Sequence, residues 1–189
     1  MALVGVLALQ GGFDAHARML RELGAEVREV RVPADITGPP ALDGLVLPGG
    51  ESTTMTLGIA REGLADPLRA FVASGAPVLG TCAGLIMLDR EHLGVMDILA
   101  RRNAFGRQIH SFEEDLTFPD LDEPVHAVFI RAPWIQEAGE GVEILASVDG
   151  HPVAAREGDV VVVAFHPELS GERRLHEQFL QRVGARVRA

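Results

Sequence analysis

Three short apolar runs, Leu3 to Leu9, Leu42 to Leu47 and Ala76 to Leu79, each end at a glycine-bearing turn and lead into a helical pattern. Runs that are mostly apolar, instead of alternating, need cover on both faces, and strands separated by helices run parallel. The chain is therefore expected to be an α/β protein with a mixed, mostly parallel central sheet flanked by helices. The intervening helices are placed at Phe13 to Leu23, closed by Gly24 as a C-cap, from Ser52-Thr53-Thr54 to about Glu62, and from about Pro67 to Ala73. A further strand, Glu26 to Val32, ends at Pro33.

After residue 105 the pattern changes. Val125 to Arg131, Val142 to Val148, Pro152 to Arg156 and Val160 to Phe165 read as strands, with hairpin turns at Asp149-Gly150 and Glu157-Gly158-Asp159. A helix near Arg173 to Val183 closes the chain. No repeat, low-complexity tract or linker interrupts this order, so residues 1–189 are expected to form a single domain.

Composition excludes several function classes. The net charge of −10, with no lysine and no basic cluster, is wrong for binding a phosphate backbone, so no nucleic-acid partner is expected. A single cysteine rules out an internal disulfide and a multi-cysteine metal site. The first nine residues read as a buried strand and not as a leader, and no apolar run is long enough to span a bilayer. A cytoplasmic protein without a membrane partner is expected.

That one cysteine lies in Gly80-Thr81-Cys82-Ala83-Gly84, between an apolar strand and the helix start Leu85-Ile86-Met87-Leu88. Small residues on both sides permit a sharp strand-to-helix turn, the elbow on which hydrolases expose a nucleophile. The helix N-terminus beyond it favours a thiolate. A cysteine nucleophile also needs a base and later a proton donor. His166, in His166-Pro167-Glu168 just past a strand end, can serve as both. Proline biases the residue before it toward an extended backbone, where i and i+2 share a side, so Glu168 is placed to fix the imidazole tautomer.

Gly49 and Gly50, past the third strand, let backbone N–H groups approach a ligand, and the Ala83 amide follows the nucleophile; together they are the candidate oxyanion hole. Plainer readings exist for each piece: a buried cysteine, a strand end, a turn. The other histidines, His16, His92, His110, His126, His151 and His176, show no metal-ligand spacing and read as surface or capping residues. Neither a metal nor a cofactor is called for.

The Gly-Thr-Cys-Ala-Gly turn with a distant His-Pro-Glu resembles the triad-type, class I glutamine amidotransferases. Several further stretches are similar to the glutaminase subunits of pyridoxal 5′-phosphate synthase: Gly5 to Gln10-Gly11, Leu47-Pro-Gly-Gly-Glu-Ser-Thr-Thr-Met55, Arg102-Asn-Ala-Phe-Gly-Arg-Gln108, Ser111-Phe-Glu113 and Phe129-Ile-Arg-Ala-Pro133. The resemblance runs from Gly5 to Glu168. It implies a class I amidotransferase-like fold and hydrolysis of L-glutamine to L-glutamate and ammonia. It also implies transfer of that ammonia to a (β/α)8-barrel synthase subunit within a large hetero-oligomer.

Carried over residue by residue, the resemblance makes Cys82, His166 and Glu168 the triad. It makes Gly50, Glu51, Ser52, Arg102, Ile130 and Arg131 the glutamine-binding set, and Gln10 with Gly11 part of the partner interface. Read from chemistry alone, Arg102 and Arg131 are equally surface ion-pair partners, and Ser52 is equally a helix N-cap. The stretch from Leu88 to Arg102 is shorter than is usual in that family, and Trp134 has no assigned role. A stand-alone cysteine hydrolase and a non-catalytic scaffold remain the competing readings.

Overall fold

The computed structural model describes residues 1–105 and 111–188. The elements in chain order are β1 (Leu3–Leu7), α1 (Phe13–Glu22), β2 (Glu26–Val30), α2 (Pro33–Thr37), β3 (Gly44–Leu47), α3 (Ser52–Arg61), α4 (Ala65–Ala73), β4 (Val78–Thr81) and α5 (Ala83–Leu88). There follow β5 (Ile98–Arg101), β6 (Ser111–Leu116), β7 (Val125–Ile130), β8 (Trp134–Ala138), β9 (Glu143–Val148), β10 (His151–Glu157), β11 (Val160–Val163), α6 (Pro167–Ser170) and α7 (Arg174–Val187).

Seven strands form one sheet in the order β2-β1-β3-β4-β11-β10-β9. From β2 to β11 neighbours run parallel, while β10 is antiparallel to both β11 and β9, as the two hairpin turns require. Alternation along each strand sorts the core into two layers. Val4, Val6, Val46 and Leu79 pack on Leu20 of α1 and on Phe179 and Val183 of α7. Leu45, Leu47 and Val78 face the other way, onto Met55 and Ile59 of α3, Leu68 of α4 and the body of α5.

The main sheet is the α/β, mostly parallel one expected, but five elements lay hidden in the sequence: α2, β5, β6, β8 and the short α6. Pro33 does end a strand, yet it also opens α2, because its missing N–H and fixed φ suit the first helical position. The strands β5, β6 and β8 belong to two small antiparallel ribbons, β5-β8 and β6-β7. β6 is mostly exposed and acidic, with no apolar run to announce it. The strand expected over Val125 to Arg131 is β7, which pairs with β6 outside the main sheet.

The parallel order sets the site. Chain leaving the carboxyl ends of β1, β3, β4 and β11 runs into Gln10, Gly49, Cys82 and His166 respectively. Adjacent parallel strands deliver those residues to one rim of the sheet, where α/β proteins bind their ligands.

Candidate active site

Cys82 has φ 47° and ψ −103°, a combination that an L-residue holds only under constraint, at a cost of about 1–3 kcal/mol. The constraints are visible. The Cys82 N–H donates to the Val163 carbonyl at 2.8 Å, continuing the β4-β11 pairing, while the Cys82 carbonyl accepts the first helical bond of α5 from Leu85 at 3.1 Å. Two glycines let α5 settle onto the strands. A Cβ on Gly80 would lie 2.8 Å from Leu88 Cδ1, and one on Gly84 would lie 2.0 Å from the Leu47 carbonyl oxygen. The strand-to-helix elbow expected from small residues is therefore formed, with its cysteine 6% exposed.

His166 is anchored by its own N–H, which donates to the Val128 carbonyl at 2.9 Å. Its Nδ1 lies 2.8 Å from Glu168 Oε1. The route to that contact differs from the expected one. His166 holds φ −113° and ψ 85°, and Pro167 starts α6, so Glu168 sits in a helical turn and not two residues along a strand. Burial pushes the imidazole down, but the Cys82 thiol and the Glu168 carboxylate together outweigh it and raise His166 to about 10. Glu168 is resisted by burial, yet its bond to His166 and the nearby His16 hold its carboxyl below the ordinary range.

His166 is thus an imidazolium at neutral pH. The stabilisation its charge brings is complete below the 6.5 of a free imidazole and is lost as pH rises through about 10. Since Cys82 supplies the leading upward influence, Cys82→Ser should move the His166 titration midpoint down toward the ordinary imidazole range. Proton NMR of the ring would read this, and an unmoved midpoint would show that Glu168 alone sets it.

Gly49 faces this pair directly: a Cβ there would lie 2.4 Å from His166 Cε1 and 3.2 Å from Cys82 Cβ. Its carbonyl accepts the Gly12 N–H at 2.9 Å. In a trans peptide the following N–H, that of Gly50, points to the opposite side. Gln10 Oε1 accepts the Glu51 N–H at 2.7 Å, and Gly11, at φ +92°, leaves no room for a Cβ against the Gly49 carbonyl. Gly49→Ala is expected to lower turnover roughly 100-fold with little change in secondary structure, because the methyl displaces the imidazole. Circular dichroism together with a turnover assay would check both halves.

Beside the pair lies a cavity of about 300 Å³ lined by Gln10, Gly50, Glu51, Ser52, Cys82, Ala83, Ile86, Arg102, Asn103, Ile130, Arg131, Pro133 and His166. All six residues carried over as glutamine-binding thus line one cavity with the cysteine and histidine. Their bonding adds detail. The N-cap of α3 is Glu51 and not Ser52: its carboxylate accepts from the Thr54 and Thr53 amides, at 2.7 and 3.1 Å, and from the Thr54 hydroxyl. The Thr54 bonds above all hold its carboxyl down to about 2. The Arg102 fork rests on Glu51 Oε1 and Thr53 Oγ1, both at 3.2 Å. Arg131 is exposed, holds a left-handed φ of 46° and has no ion pair among the described residues. Residues 106–110, with part of the Arg102 to Gln108 stretch and His110, lie outside the described residues.

The expectation that the remaining histidines are surface or capping residues fails for two of them. His16 and His176 are fully buried and bonded to each other. His16 belongs to the inward stripe of α1 with Ala17, Met19 and Leu20, a periodicity that could have flagged it. His92 does support a turn, with Nδ1 2.8 Å from Asp89. His126 is exposed between Asp115 and Glu113, and the His151 ring stacks on Trp134 at 3.6 Å. Trp134 also meets Phe105 edge-on, which gives it a packing role beside the cavity. Among the described residues, no group of three or more His, Cys, Asp or Glu side chains is placed to hold a metal ion.

A cysteine on a strained elbow beside an imidazolium, at the carboxyl rim of a parallel sheet, is the arrangement of an enzyme that attacks carbonyl carbon. A family model, the SNO glutamine amidotransferase family, matches residues 6–185, and the chain belongs to that family. It is 51% identical to pyridoxal 5′-phosphate synthase subunit PdxT of Mycolicibacterium vanbaalenii, over 94% of this chain and 95% of the relative. It is 50% identical to the PdxT subunit of Corynebacterium jeikeium, over 97% and 98%. Among solved structures, a glutamine amidotransferase superposes with a TM-score of 0.88 at 45% identity, covering 96% of this chain and 98% of that one. A chain of PurLQS from Thermotoga maritima shares the fold with a TM-score of 0.75 at 16% identity, over 98% and 99%.

Proposed function

We propose that this chain is a cytoplasmic, single-domain glutaminase that hydrolyses L-glutamine through a Cys82-His166-Glu168 triad and hands the ammonia to a synthase subunit making pyridoxal 5′-phosphate. The observation that carries the reading is the convergence of Cys82, His166 and Glu168, from two distant segments, beside a cavity lined by Glu51, Arg102 and Arg131. The synthase partner comes from the names of the PdxT relatives. That it is a (β/α)8 barrel, and that both subunits assemble into a large hetero-oligomer, rests on the family resemblance.

Sγ of Cys82 attacks the side-chain carbonyl carbon of glutamine, and the carbonyl electrons move onto oxygen. The Gly50 and Ala83 amides receive that oxyanion in the place where charge develops. As the tetrahedral species collapses, the C–N bond breaks and the His166 imidazolium gives its proton to the departing nitrogen, which leaves as ammonia. A glutamyl thioester stays on Cys82. Neutral His166 then takes a proton from water, the hydroxide attacks the thioester carbon, and glutamate leaves as the thiolate-imidazolium pair is restored. Glu168 keeps the imidazole in one tautomer throughout. Arg131 and Arg102 hold the α-carboxylate, since a guanidinium fork matches a carboxylate, and Glu51 faces the α-ammonium. Gln10 and Gly11, which brace the Gly49-Gly50 peptide, connect the partner face to the oxyanion hole.

The test is to mix the purified chain with L-glutamine and its cognate synthase, following ammonia and glutamate in equal amounts. Release of ammonia from other amides at the same rate without the synthase would favour a stand-alone hydrolase instead.

A further inference from the structure

Behind the triad lies a second set of polar groups that the mechanism above does not use. His16 reaches from α1 with Nε2 3.3 Å from Glu168 Oε2 and 3.1 Å from Thr81 Oγ1, the residue before the nucleophile. Its Nδ1 lies 2.8 Å from His176 Nε2, on α7. Glu168 Oε1 is occupied by His166, whereas Oε2 is buried without a well-formed hydrogen bond of its own, and so is His176 Nδ1. A buried carboxylate oxygen short of donors leans on the nearest ring nitrogen, here His16 Nε2, which it shares with Thr81 Oγ1.

We infer that His16 is a positioning residue of the proposed glutaminase, donating its Nε2–H to Glu168 Oε2 and so fixing the carboxylate that orients His166. The inference rests on the triad reading. Burial is the main cause that keeps both inner rings neutral: His16 lies below its ordinary value although Glu168 pulls it upward, and His176 falls to about 3. The His16–Glu168 contact is therefore a neutral donor on an anion and not an ion pair.

Neutral rings carry one N–H each, which makes the tautomers decidable. With its proton on Nδ1, His16 would aim a bare lone pair at the carboxylate, and His176 would bury an N–H without an acceptor. With the proton on Nε2, Glu168 gains a donor, His16 Nδ1 accepts from His176 Nε2–H, and only an acceptor, His176 Nδ1, is left bare. The second arrangement gives each ring N–H in the row from His176 to His166 an acceptor, with His16 Nε2–H placed between Thr81 Oγ1 and Glu168 Oε2. The row also ties the triad to α1, whose first turn follows directly on Gln10-Gly11-Gly12.

Three variants in the complex with the synthase test this. A glutamine side chain places its amide nitrogen near the position of imidazole Nε2, whereas asparagine reaches only the Nδ1 position. His16→Asn should lower kcat roughly 10- to 100-fold with KM for glutamine within about twofold, the loss expected for one hydrogen bond to a buried charge. His16→Gln should recover most of that loss. His176→Leu removes a buried ring of similar bulk without touching Glu168 and should stay within a few-fold of wild type.

A second readout needs no substrate. In the isolated chain, the downfield proton resonance of His166 Nδ1–H should move upfield in His16→Asn and stay in place in His16→Gln and His176→Leu. Equal losses in the Asn and Gln variants, or a His176→Leu loss matching that of His16→Asn, would overturn the assignment. If His16→Asn does not fold, a displaced His166 resonance in His16→Gln overturns it instead. Because the resonance is read without glutamine, it separates failure of this assignment from failure of the glutaminase reading.

Discussion

Cys82→Ala is expected to abolish ammonia release from glutamine in the presence of the synthase, a loss of about ten-thousand-fold in kcat. Nothing else described in the cavity replaces the sulfur as a nucleophile: Ser52 opens α3 and has no imidazole beside it, since His166 faces Cys82. The alanine variant should fold normally, because it keeps the Cβ and the backbone bonds that hold the elbow. A companion variant separates chemistry from strain. Cys82→Gly is equally without a nucleophile, but glycine adopts φ 47° and ψ −103° freely, so it should be more stable than Cys82→Ala by about 1 kcal/mol. Thermal denaturation of the two would measure the strain stored at the elbow. Undiminished ammonia release by the alanine variant would remove Cys82 from the reaction altogether.

The sequence disclosed the sheet and the elbow because both depend on local pattern. Leu45, Val46 and Leu47 are apolar for the same reason that β3 is buried on both faces, and Gly80 and Gly84 flank the cysteine because α5 packs against bare backbone. The ribbon strands are illegible because Ser111–Leu116 turns only Phe112 and Leu116 toward the core, four residues apart and separated by three acidic residues, while β7 supplies most of the apolar face. Where side chains meet across the fold, composition has no voice. That Arg102 spans to Glu51, or that His16 stands 160 residues from the ring it touches, is decided by the parallel order of β1, β3, β4 and β11. The His166-Glu168 contact shows an intermediate case. Two residues apart, they are expected to meet along an extended strand, and they meet instead across the first turn of α6, because Pro167 starts a helix more readily than it continues a strand.

Gly84→Ala should be among the most destabilising single-methyl additions near the site. The added Cβ would lie 2.0 Å from the Leu47 carbonyl oxygen and 2.8 Å from its carbon, and that carbonyl belongs to a central strand held by neighbours on both sides. A flexible side chain could swing away, but β3 cannot, so α5 must lift off the sheet. Leu85, Met87 and Leu88, all essentially buried, would lose packing as it does. Overpacking of this kind costs about 3 kcal/mol. The displacement also acts on function, since Ala83 and Cys82 precede Gly84 without a break and would move with the helix. A shift of about 1 Å at the nucleophile is enough to lower turnover about 100-fold. Urea denaturation and a glutaminase assay on the same preparation should therefore report both losses, with the denaturation slope unchanged. Wild-type stability in Gly84→Ala would mean that α5 does not pack on β3 at this distance, and the close seat of the elbow on the sheet would have to be given up.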